Sequence, residues 1–161
     1  MEEIRMMPIG EVHTRAAADE IRSGRGREEA VVEVYERFEE ALDGIEGFSH
    51  IFVISYFHMP KPEQVGPLRV KPRGLLRQGL ALEELPTRGV FALDSPTRPN
   101  PIGLSLVRLV RAEGRRLRVA GLDLFDGTPV LDIKPYQPQY RTEDYGLPDW
   151  YRQLREKAGR V

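Results

Sequence analysis

The stretch that most narrows the possible folds is residues 102–125, IGLSLVRLVRAEGRRLRVAGLDLF. It reads as two long strands joined at a glycine turn, Gly114. Other runs follow the same habit. VVEVYERF (31–38) alternates and is β-branched, which argues strand. IFVISYF (51–57) is continuously apolar and bounded by turn signals, so a buried strand fits it better than a helix. IRMMPIGEVH (4–13) is a weaker first strand and GVFAL (89–93) another. DGTPVLDIKPY (126–136) opens on an Asp-Gly turn and continues as a short strand. PDWYRQLREKAG (148–159) is the best helix, with Pro148 at its start, Asp149 in its first turn, and Lys157 and Gly159 at its end. Many short strands and one terminal helix argue an all-β sandwich or barrel. An α+β fold follows instead if the 14–29 loop or the 75–85 stretch is helical.

A chain of 161 residues can build one domain with a real core. With 24 basic and 25 acidic residues its net charge is −1, so no global grip on nucleic acid is indicated, though local patches remain open. The charge is unevenly spread. Residues 28–46 carry a net −7, whereas 61–77 (Lys61, Arg69, Lys71, Arg73, Arg77 against Glu63) and 108–118 (five arginines against Glu113) each carry +4. These stretches are either solvated faces or phosphate-contacting surfaces. Having no cysteine, the chain has no disulfide, thiolate nucleophile or Cys-based metal site, which is compatible with a cytoplasmic setting. No signal peptide is expected, because no apolar segment follows Met1–Arg5. The longest apolar run, 51–57, is too short to span a membrane.

Residues 59–88 hold Pro60, Pro62, Pro67, Pro72 and Pro86, and read as a long connection with an edge strand at most. Loops this long in a compact domain are often functional. Gly-rich phosphate loops and HExxH are absent. His13, His50 and His58 are far apart in sequence, and no metal site is expected. Asp132 and Lys134, two apart on one strand, share a face, which fits either an ion pair or a carboxylate and ammonium beside a ligand. In SPTRPNPIGLS (95–105), Pro99 and Pro101 fix their own φ and restrict Arg98 and Asn100, so one amide side chain is held on a stiff backbone. An amide offers one acceptor and two donors. The residues alone leave two readings open: a rigid strand entry, or an asparagine that reads a ligand edge.

SPTRPNPIGLS followed by LDLFDGTPVLDIKPY resembles the TrmO (TsaA-like, YaeB-like) family. PIG near the start, LDGIEGFSHIFVISYFH, and GVFA before the proline motif fit as well, so the resemblance covers residues 8–136. It implies a single-sheeted antiparallel β-barrel over residues 1–140, an extension with a short C-terminal helix over 141–161, and a homodimer. It also implies S-adenosyl-L-methionine as cofactor, and methylation of N6 of threonylcarbamoyl-adenosine in the tRNA anticodon loop. Carried over by position, the cofactor site includes His58, Met59, Leu104, Asp126, Gly127, Thr128 and Pro129. It also includes Asp94, which stands where the family has a cofactor-contacting arginine; Leu93-Asp94 replaces Thr-Arg. The Pro-Arg-Gln segment of the family's first loop is replaced by EIRSGRG (20–26).

Within that resemblance Asn100, Asp132 and Lys134 are the expected catalytic residues. Asn100 would accept the N6–H, Asp132 or Asp126 would take the lost proton or orient the cofactor, and Lys134 would orient its neighbour. Arg73, Arg98 and Tyr136 are expected on the substrate, with Tyr136 or Phe57 stacking the splayed base. The alternatives are a module that binds S-adenosyl-L-methionine without tRNA chemistry, and a methyltransferase with a different substrate.

Overall fold

The computed structural model describes residues 3–23 and 29–159, so Gly24 and Gly26 of the expected first loop lie outside the described residues. The elements in chain order are β1 (Gly10–His13), α1 (Ala18–Ser23), β2 (Glu29–Val34), β3 (His50–Tyr56), β4 (Arg69–Val70), β5 (Arg88–Gly89), β6 (Ile102–Glu113), β7 (Arg116–Ala120), β8 (Pro129–Pro135) and α2 (Asp149–Lys157). Six strands close into one antiparallel barrel in the order β1-β2-β7-β6-β3-β8. The all-β, single-sheeted barrel with a short C-terminal helix is therefore the observed fold. Closure removes the sheet edges, which would otherwise expose unpaired backbone groups.

The chain divides into two units. The first, Met1–Met59 with Pro101–Tyr136, is the barrel. Its core is the inward set that period-two alternation selects: Val12 on β1, Val32 on β2, Ile51 and Val53 on β3, Val107 on β6, Leu117 and Val119 on β7, and Val130 on β8. Burying one such side chain contributes about 1.5–3 kcal/mol.

Three expected strands are shorter than their apolar composition suggested. The inward alternation of β2 (Ala30, Val32, Val34) ends at Val34, and Glu36–Leu42 winds as 3₁₀ helix. Of IRMMPIGEVH the last four residues form β1, and Ile9 adds a hydrogen bond to the Val130 carbonyl at 2.8 Å. GVFAL contributes Gly89 to β5, and then Val90–Ala92 turns as 3₁₀ helix with Val90 buried and Phe91 exposed. The polar segment expected to be a loop contains α1, whose first turn carries Asp19 and Glu20, the charge that a helix N-terminus favours, and whose Ile21 is buried.

The second unit comprises Pro60–Asn100 and Gln137–Val161. It gathers the proline-rich connection and the C-terminal helix around Leu75, Leu80, Leu85 and Leu154, with Trp150 and Ala158 packed against them. The Arg88 guanidinium lies 5.0 Å from the Trp150 ring centroid, a cation–π contact, and Lys157 reaches Glu84 at 3.7 Å. β4 and β5 form a two-stranded ribbon in which Arg69 opposes Gly89 and Val70 opposes Arg88. Helix α2 therefore packs on residues 75–85 of its own chain, a partner 70 residues away that its amphipathic pattern could not name.

Candidate functional site

The expected residues within the barrel converge on one end and one outer face. β3 sits between β6 and β8, so its last residues fix what stands on either side. Ser55 opposes Gly103 on β6 and Val130 on β8, with a register shift between Ile54 and Ser55 on the β8 side. The Phe57 N–H donates to the Pro101 carbonyl at 2.7 Å and extends the ladder past the strand end. Ile54 has Leu104 on one side and Asp132 on the other, and Phe52 has Leu106 and Lys134. Leu104, Asp132 and Lys134 therefore share one outer face, where Leu104 is 67 % exposed. Tyr136 joins them: its N–H donates to the His50 carbonyl at 3.0 Å, and its ring centroid lies 5.8 Å from that of Phe52.

The Asp126–Pro129 turn leads into β8 and is locked to β1 by two hydrogen bonds and to Thr14 by a third. Thr14 N–H donates to Asp126 Oδ1 at 3.0 Å, Gly127 N–H to the Val12 carbonyl at 2.8 Å, and Val12 N–H to the Thr128 carbonyl at 2.9 Å. Thr128 is buried and its hydroxyl donates to the Phe125 carbonyl at 2.7 Å, so that group serves the turn itself. The Asp126 carboxylate stays largely exposed and also lies 3.9 Å from His13 Nδ1.

Asp132 and Lys134 form an ion pair, Nζ to Oδ2 at 2.9 Å, and Asp132 Oδ1 accepts the Ile133 N–H at 2.9 Å. Both carboxylate oxygens are thus engaged, which suits an orienting group better than a proton acceptor.

In the second unit, Arg98, expected on the substrate, also braces its own loop. Its Nη1 donates to the Ser95 carbonyl at 3.2 Å and the Leu93 carbonyl at 3.5 Å, tying down its own loop around the exposed Asp94. Thr97 is buried in the same loop, and its N–H donates to Ser95 Oγ at 3.2 Å. The loop delivers Asn100 with its side chain exposed, and Arg73 is exposed as well.

Two polar atoms at the end of β3 stand out. Among the described residues, the buried side-chain polar atoms without a hydrogen-bond partner are Ser55 Oγ and His58 Nδ1. His58 was expected on the cofactor from its position in the motif. Ser55 was missed, although a serine interrupting an apolar run and a glycine inside the opposing strand were the signals for it. A Cβ on Gly103 would lie 2.6 Å from Ser55 Oγ and 2.8 Å from the Phe57 ring, so the glycine admits both. An orphaned buried hydroxyl costs about 1–3 kcal/mol. Ser55→Ala should therefore leave the melting temperature unchanged or raise it; a loss beyond about 1 kcal/mol in chemical denaturation would show that the hydroxyl has a partner in solution.

No group of three or more metal-ligating side chains forms a site among the described residues. For an organic cofactor the donor set does fit. An exposed carboxylate on a backbone-locked turn and a buried, unmet imidazole nitrogen suit a ligand that carries hydroxyl and amine groups.

Compared with known proteins, residues 18–142 match the family model described as the tRNA-methyltransferase O N-terminal domain. A probable S-adenosyl-L-methionine-binding protein of Pyrococcus abyssi is 48 % identical over 112 residues, covering 70 % of this chain and 54 % of that protein. A tRNA (adenine(37)-N6)-methyltransferase of Mus musculus is 37 % identical over 126 residues, 78 % of this chain and 27 % of that one. The crystal structure of TrmO from Pseudomonas aeruginosa aligns at a TM-score of 0.63 and 32 % identity, covering 90 % of this chain and 61 % of that chain. The chain thus spans less than two thirds of each of these three. The family model covers well over half of the chain: this protein belongs to the tRNA-methyltransferase O N-terminal domain family.

Proposed function

We propose that this protein binds S-adenosyl-L-methionine and methylates N6 of an adenosine in tRNA, with threonylcarbamoyl-adenosine of the anticodon loop as the substrate. The observation that carries the reading is the unmet His58 Nδ1 at the barrel end where the Asp126–Pro129 turn is pinned to β1. The relatives named for S-adenosyl-L-methionine binding and for tRNA adenine N6-methylation support it.

Bound S-adenosyl-L-methionine supplies an electrophilic methyl group on its sulfonium. The rest falls to the protein. His58 Nδ1 and the Asp126 carboxylate hold polar groups of the cofactor, with Met59 and Leu104 as apolar walls. An exocyclic adenine amine is a poor nucleophile because its lone pair is delocalised into the ring. The Asn100 side-chain oxygen, accepting one N6–H, helps the nitrogen pyramidalise and holds it for in-line attack, where orientation is worth most. The Asp132–Lys134 pair would orient, and Asp126, whose Oδ1 accepts the Thr14 N–H, would use its other oxygen to orient the cofactor or take the lost proton. Tyr136, supported by Phe52, offers a face on which a splayed base can stack.

Transfer of radiolabelled methyl to bulk tRNA tests the proposal directly. Incorporation that depends on tRNA supports it, and cofactor binding without transfer overturns it. A binding module is the second reading, favoured by Asp94, an exposed carboxylate where the family has arginine. His58→Ala should weaken S-adenosyl-L-methionine binding by roughly five-fold, about 1 kcal/mol for one hydrogen bond, in calorimetry. An unchanged Kd would remove His58 from the site.

The exposed Leu104, Leu106 and Val110 on the outer face of β6, with Tyr56 beside them on β3, support a homodimer through this barrel face. Light scattering on the purified protein reads its mass. No helix among the described residues is long and apolar enough to cross a membrane. The relatives named for tRNA methylation support a cytoplasmic setting.

A further inference from the structure

The two arginine-rich stretches of the sequence are not equivalent in the fold. On the 108–118 ridge, Arg111 and Arg118 both pair with Glu113, and Arg115 and Arg116 both pair with Glu33 at 3.7 Å. Four of its five arginines are therefore already met by carboxylates. The 60–100 and 137–161 unit differs. It carries twelve basic and eight acidic residues, a net +4, while the barrel unit carries twelve and seventeen, a net −5. Arg69 on its ribbon and Arg73 at the start of the 3₁₀ segment Arg73–Gln78 are exposed, and neither has a carboxylate partner among the described residues.

Beside them stands Phe91. Arg69 opposes Gly89 across the ribbon, the Leu68 carbonyl accepts the Val90 N–H at 3.0 Å, and the chain then turns so that Phe91 emerges 81 % exposed next to this pairing. A phenyl ring left in water while its neighbour Val90 is buried has a free face, and Arg69 pairs across the ribbon with Gly89, two residues before it. Single-stranded nucleic acid is met by this combination, with a base stacked on the ring and phosphates on the arginines.

We propose that Phe91, Arg69 and Arg73 form an RNA-contacting surface of the second unit, on which Phe91 stacks an unpaired base of the tRNA anticodon arm. This rests on the tRNA reading above and names the surface that reading uses. It moves RNA contact away from the 108–118 ridge.

The test uses the full chain and a fluorescent anticodon stem-loop RNA in anisotropy titrations over a range of salt. Phe91→Ala should weaken RNA binding by about ten-fold, and Phe91→Trp should restore it. Arg69→Ala and Arg73→Ala should each lower the slope of log K against log salt by about 0.7 to 0.9. Arg111→Ala should change neither quantity, and S-adenosyl-L-methionine affinity should be the same in all these variants. Wild-type RNA affinity in Phe91→Ala, or an Arg111→Ala loss equal to that of Arg69→Ala, overturns the surface. A change of molecular mass in Phe91→Ala also overturns it, because the ring would then face a second copy. If the wild type methylates tRNA while Phe91→Ala binds RNA normally, only the surface falls. If the wild type neither binds the stem-loop nor methylates tRNA, the tRNA reading falls with it.

Discussion

Asn100→Ala is expected to lower methyl transfer to tRNA by roughly 100-fold, the penalty for losing one orienting contact on a poor nucleophile. The side chain is exposed and has no hydrogen-bond partner among the described residues, so removing it takes away no folding interaction seen there. Melting should stay within about 0.5 kcal/mol of wild type. Cofactor affinity should be unchanged, because Asn100 is assigned to the substrate amine. Asn100→Asp keeps an acceptor oxygen but adds a charge, so it should recover part of the rate. Single-turnover kinetics separate this loss in the chemical step from a loss in binding. Full activity in Asn100→Ala would end the assignment and return RPNPIG to its bland reading as a rigid strand entry.

Gly10→Ala should prevent or severely weaken folding, at a cost above about 4 kcal/mol. Gly10 pairs with Val34 on β2 and Val130 on β8, at the seam where the first and last barrel strands meet. A Cβ there would lie 2.3 Å from the Glu33 carbonyl oxygen and 2.9 Å from the Val34 Cα. Both atoms are backbone, and no rotamer change relieves the overlap. Gly74→Ala is the matched control. Its Cβ would meet nothing within 4 Å, and its φ is not positive. It should therefore be neutral or stabilise by about 0.4–1 kcal/mol through the unfolded chain. Urea denaturation measures both, and a Gly10→Ala protein within about 1 kcal/mol of wild type would refute the steric argument.

The strands and the motifs were legible because each rests on a local rule. Alternation over Ala30, Val32 and Val34 places every second side chain on one face whatever the rest of the chain does, and Asp126-Gly127 turns by its own backbone preference. The Asp132–Lys134 pair is legible for the same reason, since two residues apart on a strand means one face. Phe91 was not legible. GVFAL has the composition of a strand, and only the 3₁₀ turn at Val90–Ala92, with Val90 buried, leaves the ring outside.

Long-range partners were equally hidden. The arginines of 108–118 look like a free basic patch in sequence. Glu33, which meets two of them, lies some 80 residues away and arrives only because β2 pairs with β7. The sequence also did not show that the loop around Arg98 turns two backbone carbonyls toward its Nη1.

By itself the sequence determined the strand periodicity, the stiff approach to Asn100, the Asp126 turn and the resemblance that they carry, because all of these are set within about ten neighbouring residues. The tertiary structure alone decided the closure of the barrel, the meeting of Ser55 with Gly103, the docking of the C-terminal helix on residues 75–85, and which arginines remain unpaired. Those depend on strand register and on chain segments brought together from far apart, and no local preference encodes which distant carboxylate or carbonyl a side chain will find.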